Sequence, residues 1–251
     1  MQIVVQGLLT HYECQGSGKA ILLLHGWADS LDTFKLLVAE LSKSQKVISV
    51  DLPGFGQSQT PKSAWKLDNY SEFLKDFLDK LNILDIYCII GHSNGGALAI
   101  RALVTEQITA DKLVLIAASG VRNSDDLKRK ALQAVTKTGK VMTFWLPVSS
   151  KQKLQKRLYG AIGSDMLIAP HMQETFRQIV RQDIQTDASS LAIPTLLIYG
   201  DQDKATPLKS IGQKLHTLIK YSRLEIIPNA AHFVHQTDSG QVNRLIAEFL
   251  K

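Results

Sequence analysis

The sequence predicts an α/β domain: a mostly parallel eight-stranded sheet with helices on both faces and a helical cap inserted once. Three observations predict it. Short apolar runs alternate along the chain with segments of helical period, each about 10–15 residues long. Several of those runs are continuously apolar, as strands buried on both faces are. The rhythm stops once, over residues 121–190, and then resumes.

In order, QIVVQ and the run near LLTHYEC read as a starting hairpin that supplies an antiparallel edge. AILLLHG, from Ala20 to Gly26, is the first buried strand. Leu31 to Leu41 has helical spacing, and KVISVD is the next strand. Leu67, Tyr70, Phe73, Leu74, Phe77, Leu78 and Leu81 lie on one face of a helix over Leu67 to Leu84. IYCIIGH is a strand, Gly95 to Val104 a helix rich in Ala and Leu, and KLVLIAA a strand. After residue 190 come PTLLIYG (strand), Leu208 to Ile219 (helix), RLEIIP (strand) and Val242 to Leu250 (helix). Asp238 and Gln241 read as a capping pair for that last helix. The segment between the halves contains no strand pattern. Asp125 to Lys137, Ser150 to Tyr159 and Pro170 to Gln182 read as helices, broken at Gly139, Pro147, Gly160, Gly163 and Pro170. The expected organisation is therefore a core of residues 1–120 and 191–251 with a helical cap over 121–190.

Composition narrows the function classes. A chain of 251 residues and 27.8 kDa with mean hydropathy −0.02 can bury a sizeable core and is neither disordered nor fibrous. Its longest apolar run falls well short of the roughly 18 residues a membrane span needs. The N-terminal MQIVVQGLLT lacks the basic start and cleavage site of a signal peptide. Cys14 and Cys88 are too few for a disulfide framework and read as reduced thiols of a cytoplasmic protein, Cys88 as a small buried hydrophobe. The net charge of +6 has a local origin. Residues 121–190 hold twelve Lys and Arg against six Asp and Glu, and the rest holds seventeen of each sign. That distribution argues against nucleic acid as a partner.

Gly91-His92-Ser93-Asn94-Gly95-Gly96 lies directly between a buried strand and a helix. There a G-x-S-x-G run makes a tight turn that presents the serine at a helix N-terminus, where developing negative charge is favoured. A serine hydroxyl is a weak nucleophile and needs a base, itself oriented by an acid. Active groups of open parallel sheets gather at the carboxyl ends of strands. Two later strands end in suitable residues: PTLLIYG runs into Asp201-Gln202-Asp203, and RLEIIP into Asn229-Ala230-Ala231-His232.

Five stretches, LLLHGW (22–27), DLPGFGQS (51–58), GHSNGG (91–96), GDQDKATP (200–207) and NAAHF (229–233), together resemble the α/β-hydrolase fold family in its compact esterase and C–C-bond-hydrolase-like branch. The resemblance covers nearly the whole chain outside the insertion. It implies Ser93 as nucleophile, His232 as general base and then acid, and Asp203 as the residue that orients the histidine, with Asp201 in the turn. It also implies two oxyanion donors, the backbone N–H groups of Asn94 and Trp27. Trp27 reads equally as a pocket wall, and Asn94 stands where the family usually has an apolar side chain. Serine at 93 argues against haloalkane dehalogenase and epoxide hydrolase chemistry, whose nucleophile is a carboxylate.

Of the remaining residues, His25 and His92 read as packed scaffold, and His235 as the one rival base close in sequence. No metal, cofactor or phosphate-loop pattern appears, and DLPGFG reads as a structured turn. In the insertion, Phe144, Trp145, Leu146, Tyr159, Met166, Met172 and Phe176 read as the cap's own core or as a pocket lining. The basic Lys128-Arg129-Lys130 and Lys151 to Arg157 read as a solvated face, or as a steering patch for anionic substrates. The expected activity is a cofactor-free carboxylesterase acting on a small-molecule substrate, with C–C-bond hydrolysis as the rival reaction. A ligand receptor or scaffold is the non-enzyme alternative, and a homodimer is left open.

Overall fold

A computed structural model describes residues 1–122 and 169–251. The expected helices Asp125 to Lys137 and Ser150 to Tyr159 lie outside the described residues. So do Phe144, Trp145, Leu146, Tyr159, Met166 and both basic clusters.

The strands are β1 Gln2–Val5, β2 Leu8–Gln15, β3 Ala20–Leu24, β4 Lys46–Val50, β5 Ile86–His92, β6 Ala110–Ile116, β7 Thr195–Gly200 and β8 Ser222–Ile227. They form one sheet in the order β1-β2-β4-β3-β5-β6-β7-β8. β1 and β2 pair antiparallel, as does β2 with β4, and every later pairing is parallel. This is the expected sheet with its antiparallel edge.

Burial on both faces explains the unbroken apolar runs. Ile21 and Leu23 of β3 point into one core, with Val47, Cys88, Ile90, Val114 and Ile198. Leu22 and Leu24 point into the other, with Ile48, Ile89, Leu113 and Leu197. Successive side chains of a strand face opposite ways, so two cores need two apolar sets. The first core is covered by α1 (Lys35–Leu41) through Leu37 and Leu41, and by α8 (Ser239–Phe249) through Val242 and Ile246. The second is covered by α2 (Leu67–Lys80), α3 (Asn94–Val104) and Leu215 of α6 (Gln213–Leu218). Tyr70, Phe73, Leu74, Phe77 and Leu78 are all buried, so the predicted apolar face of α2 is the one that packs. No described helix is long and apolar enough to cross a membrane.

Several boundaries differ from expectation. The Leu31–Phe34 stretch is a 3₁₀ turn leading into α1, and Leu208–Gly212 is a π-type turn leading into α6. Asp238 makes no side-chain cap on α8: its carboxylate accepts from Thr237 Oγ1 (2.7 Å), and its backbone carbonyl takes the Gln241 N–H (3.0 Å). The short helix α7 (Val234–Thr237) runs directly into this position. After residue 169, a 3₁₀ turn at Pro170–Met172 precedes α4 (Gln173–Arg181), and α5 (Gln185–Ser190) follows. These pieces dock on the core: Trp65 N–H donates to Thr175 Oγ1 (3.1 Å), Leu67 N–H to Gln182 Oε1 (2.8 Å), and Ile184 N–H to Gly120 O (3.1 Å).

The strand order sets the site's location. From β3 the chain adds β4 on one side, and from β5 onward it adds strands on the other. The β3–β5 pair is therefore the switch point, where a crevice opens beyond the carboxyl ends of the strands.

Candidate active site

β5 is buried along its whole length and α3 starts two residues after it ends, so residue 93 alone makes the reversal. Ser93 accordingly has φ 51° and ψ −117°, a left-handed conformation that costs a non-glycine residue about 1–3 kcal/mol. The strain is held by four backbone hydrogen bonds. Ser93 N–H donates to Ile116 O (3.0 Å), and Ser93 O accepts from Gly96 N–H and Ser119 N–H (3.0 Å each) and from Ala97 N–H (3.4 Å). The flanking glycines are required by close approach. A Cβ on Gly91 would lie 2.6 Å from Gly95 O, and one on Gly95 would lie 2.1 Å from Leu24 O.

Asp203 sits in the loop after β7 and is buried. Its Oδ1 accepts the N–H groups of Ala205 (2.8 Å) and Thr206 (3.0 Å). Its Oδ2 accepts from His232 Nδ1 (2.8 Å) and Thr206 Oγ1 (2.8 Å). Burial opposes charge on this carboxyl, but the bonds from His232 and Thr206 outweigh it and hold it below the usual carboxylate range. A carboxylate only accepts, so His232 carries its proton on Nδ1 and turns a free lone pair on Nε2 elsewhere. Asp201 is exposed in the turn, and its N–H bonds Ile227 O (3.2 Å). Thr206 was not singled out by the sequence, although it lies inside GDQDKATP. Its hydroxyl also reaches Ala117 O (2.9 Å) at the end of β6. Among the described residues no hydrogen bond joins the Ser93 hydroxyl to His232. Such contacts are often long without substrate and tighten in the complex.

Asn94 is the first residue of α3, so its N–H has no acceptor within the helix. Trp27 follows Gly26, and a Cβ on Gly26 would lie 3.2 Å from Ser93 Cβ. The turn after β3 thus runs alongside the serine. The Trp27 indole packs on Phe55 (4.8 Å) and on Phe176 of α4 (5.0 Å), and Met172 lies against Gly54. Of the expected cap residues within the described chain, Met172 therefore faces the loop after β4 and Phe176 the turn after β3. His25 braces it from behind, donating from Nδ1 to Gly26 O (2.7 Å) and accepting Leu52 N–H at Nε2 (2.9 Å). Burial lowers its pKa.

His235 is buried, bonds Thr33 Oγ1 through Nε2 (3.0 Å), and has no partner for Nδ1 among the described residues. It is scaffold, not a rival base. Protonating it would leave a second buried N–H without an acceptor, and burial pushes its pKa down to about 4. The unfolded side chain titrates near 6.5, so between those values the unfolded chain binds a proton that the folded chain does not. Stability is therefore complete above about pH 6.5 and falls as pH drops toward 4, by about 3 kcal/mol from this group. Urea titrations at about pH 7 and pH 4.5 should show that loss, and His235→Gln, which can still bond Thr33, should shrink it.

Among the described residues, no three His, Cys, Asp or Glu side chains converge to hold a metal ion.

Comparison with known proteins bears on this geometry. A family model described as alpha/beta hydrolase fold matches residues 19–147. The AB hydrolase superfamily protein YisY of Bacillus subtilis is 28% identical over 261 residues, covering 93% of this chain and 92% of that protein. A 2-hydroxy-6-oxo-2,4-heptadienoate hydrolase of Pseudomonas putida is 26% identical over 272 residues, covering 99% and 95%. Among solved structures, the meta-cleavage product hydrolase CumD of Pseudomonas fluorescens superposes with a TM-score of 0.74 at 26% identity, covering 99% of this chain and 96% of that one.

Proposed function

The chain belongs to the α/β hydrolase fold family, and from that premise we propose that it is a serine hydrolase acting through an acyl-enzyme, with small or medium carboxylic esters as substrates. One observation carries the reading: a serine under left-handed strain at the switch point, whose neighbour His92 packs on a histidine with its Nδ1 bonded to a buried carboxylate. Ser93 Oγ attacks the carbonyl while His232 Nε2 takes its proton. The oxyanion is met by the N–H groups of Asn94 and Trp27, a single such donor being worth about 10²–10³ in rate. His232 then returns the proton to the leaving alcohol. Water, activated by the same nitrogen, releases the acid. Residues 121–190 act as a cap that sets access, and the contacts of Met172 with Gly54 and of Phe176 with Trp27 support this role.

The 26% identity to a 2-hydroxy-6-oxo-2,4-heptadienoate hydrolase and to a meta-cleavage product hydrolase favours a second reading, cleavage of a C–C bond beside a ketone. The same serine and histidine serve both. A panel of nitrophenyl esters and vinylogous diketones, with Ser93→Ala as the blank, separates them by which class turns over. The ester reading expects short-chain ester hydrolysis and a fluorophosphonate adduct that maps to Ser93. An adduct without turnover of either class would point to a receptor, and an unlabelled Ser93 would overturn the reading.

A further inference from the structure

His92 is buried, precedes Ser93, and has a polar contact that packing alone does not require. Its Nε2 lies 3.2 Å from the backbone carbonyl of His232, 140 residues away. A carbonyl only accepts, so His92 carries its proton on Nε2 and leaves Nδ1 bare. That Nδ1 has no partner among the described residues, and a Cβ on Gly26 would lie 3.1 Å from it. One ring therefore touches all three parts of the site: the turn bearing Ser93, the loop bearing His232, and the turn leading to Trp27. Its surroundings keep it neutral. The rings of His232 (4.8 Å) and His235 (4.5 Å) lie against it, His25 adds its influence from the β3 turn, and Phe233 covers it at 5.1 Å.

We propose that His92 is a positioning residue for the reaction: its Nε2–H, bonded to the main chain of His232, fixes the distance between nucleophile and base. The inference rests on the reading of Ser93 and His232 given above. Among the described residues the loop after β8 has no strand beyond it, because β8 is the sheet edge, and the base's other anchor, Asp203, stands in a different loop. A rigid link from the residue adjoining the nucleophile gives Nε2 of His232 a defined place. Displacement of a reacting group by about 1 Å can cost about 10²-fold in rate.

The test compares His92→Phe, which fills the space without a donor, with His92→Gln, whose Nε2 reaches a similar point. His92→Phe is expected to lower kcat about 10–100-fold with KM nearly unchanged, and to slow fluorophosphonate labelling of Ser93 in parallel. His92→Gln should recover most of the rate. If His92→Phe turns over like the wild type, or His92→Gln loses as much as His92→Phe, the ring merely packs and the proposal falls. Should the phenylalanine variant fail to fold, ring ¹⁵N spectra of the wild type decide. A proton on Nε2 of His92 from about pH 5 to pH 8 supports the link, and one on Nδ1 overturns it. Normal labelling of wild-type Ser93 alongside a failed rescue sinks this inference alone, whereas no labelling removes the reading beneath it.

Discussion

Asp203→Asn is expected to lower kcat by about 10⁴ while leaving the protein about as stable as the wild type. The effect follows from which oxygen is held by what. Oδ1 accepts two backbone N–H groups, from Ala205 and Thr206. An amide at 203 must keep its carbonyl oxygen there, because an NH₂ group would face two donors. Its NH₂ then occupies the Oδ2 position, 2.8 Å from His232 Nδ1. It donates where the carboxylate accepted, so the imidazole proton is driven onto Nε2, the nitrogen that in the proposed mechanism must be free to take the Ser93 proton. Thr206 absorbs the change without an orphaned group, since its oxygen accepts from the new NH₂ and its O–H turns to Ala117 O (2.9 Å). Steady-state kinetics together with a melting curve check the prediction. A large fall in melting temperature, or a rate within tenfold of the wild type, would contradict it.

The residues of this proposed relay were legible in the sequence because each announces itself locally. Ser93 lies between glycines at a strand-to-helix boundary, and Asp203 and His232 lie just past apolar runs that end strands. β5 was readable over its full span, since every residue of IYCIIGH is buried and the run is bounded by turns. What the sequence hid depends on contacts between distant segments. Thr206 matters because its hydroxyl spans from Asp203 to the end of β6. His92 reads as scaffold until His232 O is seen beside it. The helix α5, QTDASS, has one buried residue, Ala188, and no apolar period; its docking on the core places it. The capping of α8 was misread for the opposite reason: the local spacing is right, but Asp238, at φ −124° and ψ 37°, lacks the extended backbone of a cap, and its carboxylate accepts from Thr237 instead.

Gly95→Ala should damage stability and catalysis together, and the geometry says why the two cannot be separated. A Cβ at 95 would stand 2.1 Å from Leu24 O and 2.6 Å from His25 O. Both atoms are backbone, so no side chain can rotate aside, and α3 must part from the end of β3. Overpacking of this kind costs about 1–3 kcal/mol, sometimes more. The part of β3 that would move leads directly into Gly26 and Trp27, while the helix that would move begins at Asn94. The two proposed oxyanion donors are thus pushed apart by the methyl group that destabilises the fold. Loss of one donor's alignment is expected to reduce kcat by about 10²–10³. Ala97→Gly, two residues further along α3 and buried, is the control: it costs about 1 kcal/mol through helix propensity but leaves the seam between β3 and α3 intact. If that variant, matched for melting temperature, lost as much kcat as Gly95→Ala, the rate effect would stem from general loosening rather than from the position of the donors. If Gly95→Ala kept full activity, Asn94 and Trp27 would not be the groups that meet the oxyanion.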